Sequence, residues 1–361
     1  MSDSLMKKRP TAADVGREAG VSRATVGFVF NKTAGQTISS GTRARVLEAA
    51  ERIGYRPHAG AQALARGASR IVLLVLPDWP VGASMQRLIE AASSVLDAAG
   101  YTLVTYTPRR DGAARPLWEL LEPEVVMGFA PFTPEQLSGM RAHGITHIFP
   151  DEHGGSAAPE TGPAEQLRYL HELGHQRIAY ASTADPRLTD LAGVRILAAQ
   201  QYARQHGREA LEVRTLTGHD DAIEAVRDWR ASGVTAVAAY NDDVAALIVG
   251  AAARLGVDVP NDLSVIGHDD APIASLFVPT LTTVRRDEEA DGANFAAVAI
   301  AGATGTGLPD LTETVSEKVI VRESSAAMPT QSAATPPSGR QQPNGMSNGR
   351  TTANQDNYRP S

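Results

Sequence analysis

Between residues 11 and 54 the apolar positions return every three or four residues, the spacing of one face of a helix. Thr11 is placed to cap a first helix that ends near Ala19, with Gly20 where a C-terminal turn favours positive φ. Ser22 caps a second. Within it Val26, Val29 and Phe30 form a core face at i, i+3, i+4 and leave Arg23, Ala24, Gly27 and Phe28 on the opposite side. A third helix starts at Ser39 or Ser40, buries Val46, Leu47, Ala50 and Ile53, and stops at Gly54. Three short helices in under 50 residues make one small bundle. Pro57 suits a first turn, and Ala59 to Arg66 reads as a further short helix of mostly small residues. Eight residues are too few for a stable isolated helix, so this segment needs a partner chain or DNA to order it.

From Arg70 the pattern changes to short apolar runs alternating with longer amphipathic ones, which predicts βα repetition and parallel sheets. Strands are expected at 70–76, 102–106, 124–129 and 146–150, and a second series at 177–181, 210–215, 235–240 and 264–268. Helices near 163–173, 189–206, 220–232 and 242–255 separate the second series, giving two similar lobes. A last helix, about 287–303, and a last strand, about 314–322, are expected to cross back between them. After Val321 no Val, Ile, Leu, Phe or Trp occurs, so the rest is expected to be a disordered tail. The predicted divisions are 10–56, a hinge at 57–69, lobes over 70–322 and a tail at 323–361.

Composition then excludes several classes. With 361 residues, 42% apolar and 21% charged, the chain is an ordinary globular one, not a collagen, coiled coil or wholly disordered polymer. It has no Cys, so disulfides, thiol nucleophiles and thiolate zinc sites are ruled out. The longest apolar runs, such as Val244 to Leu247 continuing to Ala253, are too short to span a bilayer, and residues 1–10 lead into no apolar signal region. No membrane partner and a cytoplasmic location are the expectation. The net charge of -7 conceals two opposite parts: residues 1–70 carry twelve Lys and Arg against five acids, a balance of +7, and the remainder -14. A basic head on an acidic body fits a polyanion reader attached to something kept off nucleic acid.

The stretch from Thr11 through Asn31, TAADVGREAGVSRATVGFVFN, resembles the helix-turn-helix of the LacI/GalR family of bacterial transcription regulators. The similarity continues through Ser39 to Val46, Gly54-Tyr-Arg-Pro57, and Ala61 and Leu64 of the hinge. It returns in Leu173-Gly-His-Gln-Arg-Ile-Ala179, Tyr240-Asn-Asp242, Gly256 to Pro260, Ser264 to Asp270 and Pro279 to Val284, covering roughly 10–322. The resemblance implies a small all-α helix-turn-helix head on an α/β two-lobed periplasmic-binding-protein-like domain with parallel sheets. It implies a homodimer, a repressor that reads an inverted repeat in double-stranded DNA. The second helix then presents its first turns to the major groove. Thr11, Ser22, Thr25 and Asn31 suit phosphate positioning; Arg23, Ala24, Gly27 and Phe28 face the bases; His58, Ala61 and Leu64 belong to the hinge contact.

The family usually has Ser-Arg where this chain has Gly27-Phe28. Phe28 lacks the guanidinium fork that reads guanine O6 and N7; it either touches a thymine methyl or sugar edge, or turns inward beside Phe30. Arg23 becomes the main long-reach base donor. Leu64 matches the family's minor-groove wedge, although a Leu in an Ala-rich helix also reads as a dimer or core contact.

In the lobes, the resemblance implies an effector cleft at the strand ends, where open α/β sheets generally take ligands. Asn241 and Asp269 match family effector contacts, and carboxylate and amide groups suit the paired hydroxyls of a sugar or polyol. Asp78 and Trp79 add an acceptor and a stacking face. Thr161 stands where an Asp is frequent, and Asp190 replaces a frequent Arg; the latter reverses local charge and disfavours an anionic effector unless nearby Arg187 or Arg195 compensates. An effector-free regulator stays open. His171 and His175 have metal-compatible spacing but no acidic third ligand, and no P-loop or nucleophile elbow is present, so neither metal, cofactor nor catalysis is expected. A solute-binding protein would share the lobes but have no use for residues 10–66.

Overall fold

The computed structural model describes residues 10–31, 38–56, 68–108, 115–150, 161–309 and 316–328. The expected hinge helix, with His58, Ala61 and Leu64, lies outside them. In the head, α1 (Ala12–Ala19) opens on a capping box in which Thr11 and Asp14 exchange side-chain and backbone bonds, and closes on Gly20 at φ 68. Next, α2 (Arg23–Asn31) opens on Ser22, whose Oγ accepts from the Thr25 N–H at 3.0 Å. Last, α3 (Ser40–Ile53) runs from a Ser39 cap to Gly54 at φ 69. Val15, Val26, Val29, Val46, Ala49 and Ala50 form the core, with Phe30 set edge-on to Tyr55 at 5.7 Å. Leu47 is a correction: it is 46% exposed, and Ala49 takes the buried position expected for it. Val46, Ala49, Ala50 and Ile53 follow i, i+3, i+4, i+7, whereas Leu47 stands 100° round the helix from Val46.

The first lobe contains β1 (Ile71–Val75), α4 (Ala83–Ala98), β2 (Thr102–Tyr106), α5 (Leu117–Leu121), β3 (Val125–Gly128), α6 (Pro134–Ala142) and β4 (His147–Phe149). Its sheet runs β2-β1-β3-β4, all parallel, with Val72 opposite Leu103 and Val125. The unbroken apolar run of β1 follows from burial on both faces. Val72 and Leu74 join the core with Leu96 and Ala296, while Leu73 and Val75 join Trp118 and Met140 on the other side.

The second lobe contains α7 (Gly162–Glu172), β5 (Ile178–Thr183), a 3-10 turn at Pro186–Leu188, α8 (Thr189–Gln205), β6 (Glu212–Leu216), α9 (His219–Ser232) and β7 (Ala236–Ala239). It continues with α10 (Asp242–Arg254), β8 (Ser264–His268), α11 (Pro272–Leu276), β9 (Thr282–Arg286), α12 (Glu288–Thr304) and β10 (Glu317–Ile320). The sheet order is β10-β9-β8-β7-β5-β6. It is parallel except for β10, which runs antiparallel to β9. Strand β9 was not anticipated; it pairs Thr282 with Ile266 and Val284 with His268. Helix α12 crosses to the first lobe, where Ala296 and Ala299 are buried, and β10 returns to the second.

The tail boundary is also corrected. Ser324 is fully buried, its carbonyl accepting from Val265 N–H at 2.7 Å and its Oγ donating to the Val265 carbonyl at 2.7 Å. Ser325 Oγ meets Thr282 Oγ1 at 2.7 Å, and the Ala326 carbonyl lies 3.0 Å from His175 Nε2. Residues 323–326 therefore lace the second lobe by hydrogen bonds instead of apolar burial.

Candidate DNA-reading surface and interlobe cleft

The core stripe of α2 leaves its other face outward. Arg23 and Ala24 are exposed, and Thr25, Gly27, Phe28 and Asn31 are partly so. Phe30 packs against the head core, whereas Phe28, half-buried, is not part of that cluster. A Cβ built on Gly27 meets nothing within 4 Å, so this face is open beside Phe28. Thr11 is occupied with Asp14, and the Ser22 and Thr25 hydroxyls lie 2.9 Å apart. From α3, Arg43 reaches the Val29 carbonyl at 3.4 Å, fixing the end of α2.

In the lobes, a cavity of about 190 Å³ opens between Gly82 and Ala83 of the first lobe and Asn241, Asp242, Asp243, Asp269 and Ala271 to Ile273 of the second. Asn241 caps α10 by accepting from Val244 N–H at 3.0 Å through Oδ1, which leaves its Nδ2 end. Asp269 follows β8 with φ 91 and is held by Arg195 at 3.2 Å and His268 Nδ1 at 2.7 Å, all on Oδ1. Burial pushes the Asp269 carboxyl up, but the Arg195 and His268 charges and hydrogen bonds outweigh it and hold it well below the usual range. Arg195, itself buried, also donates to the Tyr240 carbonyl at 2.7 Å and lies over the Tyr240 ring at 4.7 Å.

Asn241 and Asp269 come together as expected, whereas Asp78, Trp79 and Asp190 do not line this cavity. Asp78 is exposed and near enough for Arg187 to feel its charge; Trp79 is half-buried; Asp190 is exposed in the first turn of α8. Thr161 bonds to Glu317.

Asp242 is the cleft residue that sequence reasoning missed, although it stands in the matched Tyr240-Asn-Asp242 segment. It is 1% exposed, accepts from Ala271 N–H and Thr283 Oγ1 at 2.6 Å each, and sits so close to Gly267 that a Cβ there would lie 2.0 Å from its Oδ1. Burial pushes its carboxyl up to about 7, against the pull of those two donors. The arrangement offers acceptors from carboxylates and donors from helix N-termini, including α4, whose Gly82 start has no side-chain cap.

His175 bonds to Thr235 and Ala326, and His171 stacks on Tyr202. Among the described residues no helix is long and apolar enough to cross a membrane.

The family model for bacterial regulatory proteins of the lacI family matches residues 11–58, and the model for a periplasmic binding protein-like domain matches residues 167–325. With the fold above, these define a DNA-binding transcription regulator of the helix-turn-helix type. The regulator GalS of Salmonella typhimurium is 31% identical over 82% of this chain and 91% of its own length. GalR of Escherichia coli is 30% identical over 87% and 95%. The chain belongs to the LacI family. Among solved structures, the lac repressor dimer bound to operator and the anti-inducer ONPF shares the fold at a TM-score of 0.70 and 22% identity, covering 89% of this chain and 100% of that one. The CelR regulator in complex with cellobiose aligns at 0.55 and 22%, over 88% and 100%.

Proposed function

We propose that this regulator is a repressor that binds an inverted-repeat operator as a homodimer through residues 10–56, with 57–69 as the hinge. The outward face of α2, where Arg23 and Phe28 stand clear of the head core, carries this reading. Arg23 supplies the donor fork for a base edge and Phe28 an apolar surface for a thymine methyl, while Ser22, Thr25 and Asn31 position phosphates. The basic balance of the first 70 residues supplies the sequence-independent attraction.

The lobes, residues 70–327, take a neutral polyhydroxy effector of about one sugar ring. The mixed donors and acceptors of the cleft support a neutral ligand, since its carboxylates repel an anion and its helix N-termini oppose a cation. The cellobiose complex of CelR, a regulator that shares the fold, points the same way. An effector acts by binding one lobe arrangement better than the other.

The test is selection of DNA by the purified full-length chain from a random pool, repeated with a panel of neutral sugars. A palindromic consensus released by one sugar is the expected result. A consensus without symmetry overturns the dimeric reading, and a palindrome indifferent to every sugar overturns the effector reading.

A further inference from the structure

Arg87, on the second turn of α4, reaches from the first lobe to the back of the cleft. Its Nη2 donates to the Asp269 carbonyl at 2.7 Å and to Glu288 Oε1 at 2.6 Å, and its Nη1 to the Asp270 carbonyl at 3.4 Å. Both acceptor residues hold positive φ, 91 at Asp269 and 44 at Asp270, in a region that side-chain-bearing residues rarely adopt. The Asp269 side chain faces the cleft and its partners Arg195 and His268. Asp270 is anchored behind by Arg322 at 2.6 Å and Arg285 at 3.8 Å.

Glu288, 4% exposed, begins the crossover helix α12. That helix packs so closely on α4 that a Cβ on Gly292 would lie 2.6 Å from Ala91 Cβ and 2.7 Å from the Leu88 carbonyl. A single guanidinium therefore ties the strained turn bearing the cleft carboxylate to the start of the helix joining the lobes.

We propose that Arg87 is a coupling latch that transmits occupancy at Asp269 to the packing of the two lobes, a proposal that rests on the cleft binding a ligand. A hydroxyl bonding Asp269 through Oδ2, opposite the Oδ1 that Arg195 and His268 hold, pulls on the carboxylate, rotates the turn and redirects the two carbonyls that Arg87 holds. Arg87 then either keeps those carbonyls or keeps buried Glu288. Two discrete arrangements biased by a ligand are what coupling between sites requires. Arg87 touches no ligand in this scheme and is a positioning residue.

The chain has no Cys, so Leu120→Cys in the first lobe and Leu197→Cys in the second, both well exposed, accept a dye pair on the full-length protein diluted into unlabelled chain. One narrow energy-transfer distribution is expected with Arg87. Arg87→Gln should add a second population of separated lobes, and Arg87→Lys should lie between. Glu288→Gln, which keeps the carbonyl contacts, serves if Arg87→Gln does not fold, and should broaden the distribution. An unchanged distribution in the variant that folds overturns the latch.

Hydrogen exchange with D-glucose, D-galactose and D-ribose as probes reads the coupling itself. A probe should slow exchange at 268–271 several-fold in both the Arg87 and Gln chains, but at 83–98 only in the Arg87 chain. An equal response at 83–98 in both overturns the proposal. If no probe protects 268–271 in either chain, the ligand reading fails, and the dye-pair result still decides whether Arg87 holds the lobes.

Discussion

Two arginines show how differently the head and the cleft use charge. Arg23 stands exposed at the start of α2, with no ion pair to any other described residue. Arg195 is buried in the second lobe, bound to a carbonyl, a carboxylate and a ring face. An exposed cation keeps its hydration until a polyanion displaces it, so its value lies in binding. A buried cation has already lost its water, so its value lies in its fixed partners, and removing it leaves the Asp269 carboxylate to His268 alone.

The sharpest way to break this comparison is to truncate both. Arg195→Ala should cost about 3 to 5 kcal/mol, the range for breaking a buried pair, towards the lower end because Asp269 keeps some solvent access. Arg23→Ala should stay within about 0.5 kcal/mol of wild type. Urea unfolding of the two variants measures both. On selected operator the order should invert, with Arg23→Ala losing about 1 to 3 kcal/mol and relaxing one base position. Equal stability losses would mean that Arg195 is no more embedded than Arg23.

A second test uses pH. The Asp242 carboxyl is raised from 3.8 to about 7 by burial, so the folded chain holds a proton that the unfolded chain has released. Its contribution is fully present below pH 3.8, falls as pH rises from there to about 7, and is gone above. The span is about 4 kcal/mol, less wherever the lobe relaxes around the charge. Asp242→Asn can still accept from Ala271 and donate to Thr283, so it should remove this slope and be relatively more stable at and above neutrality. Parallel pH profiles of wild type and variant would show that Asp242 titrates normally.

The same contrast explains what was legible in the chain. The head was readable because helix caps and apolar spacing are local; only Leu47 was misplaced, by counting hydrophobicity ahead of angle. The cleft was half readable. Asn241 and Asp269 came from resemblance, but Arg195 pairs with Asp269 across 74 residues, and no local pattern announces such a partner. Asp242 drew no separate expectation within Tyr240-Asn-Asp242, because Thr283 and Ala271, which enclose it, lie about 30 to 40 residues away in sequence. Strand β9 was hidden by its polar Thr282-Thr283 pair, which is fully buried between neighbouring strands. Ser324 and Ser325 were assigned to a tail because they are polar, yet it is their hydroxyls that hold them in place.

Phe28 sharpens the comparison at a smaller scale. Phe28→Arg places a second exposed guanidinium on the α2 face and should shift the preferred operator base at one symmetric position per half-site, by about 1 to 3 kcal/mol. Selection from a random pool reads it. An unchanged consensus with an intact fold would show that Phe28 does not address that base.

The smallest expected effect comes from its neighbour. Gly27 lies inside α2 with helical geometry, where glycine costs up to about 1 kcal/mol relative to alanine, and nothing stands within 4 Å of a Cβ at this position. Gly27→Ala should therefore stabilise the head by a few tenths to about 1 kcal/mol, read as slower hydrogen exchange along α2 in the full-length chain. Its effect on operator binding then tells what the glycine is for. If affinity also rises, the position was merely unoptimised helix. If affinity falls while α2 grows more stable, the missing methyl is the space into which the DNA closes, and Gly27-Phe28 acts as one reading element.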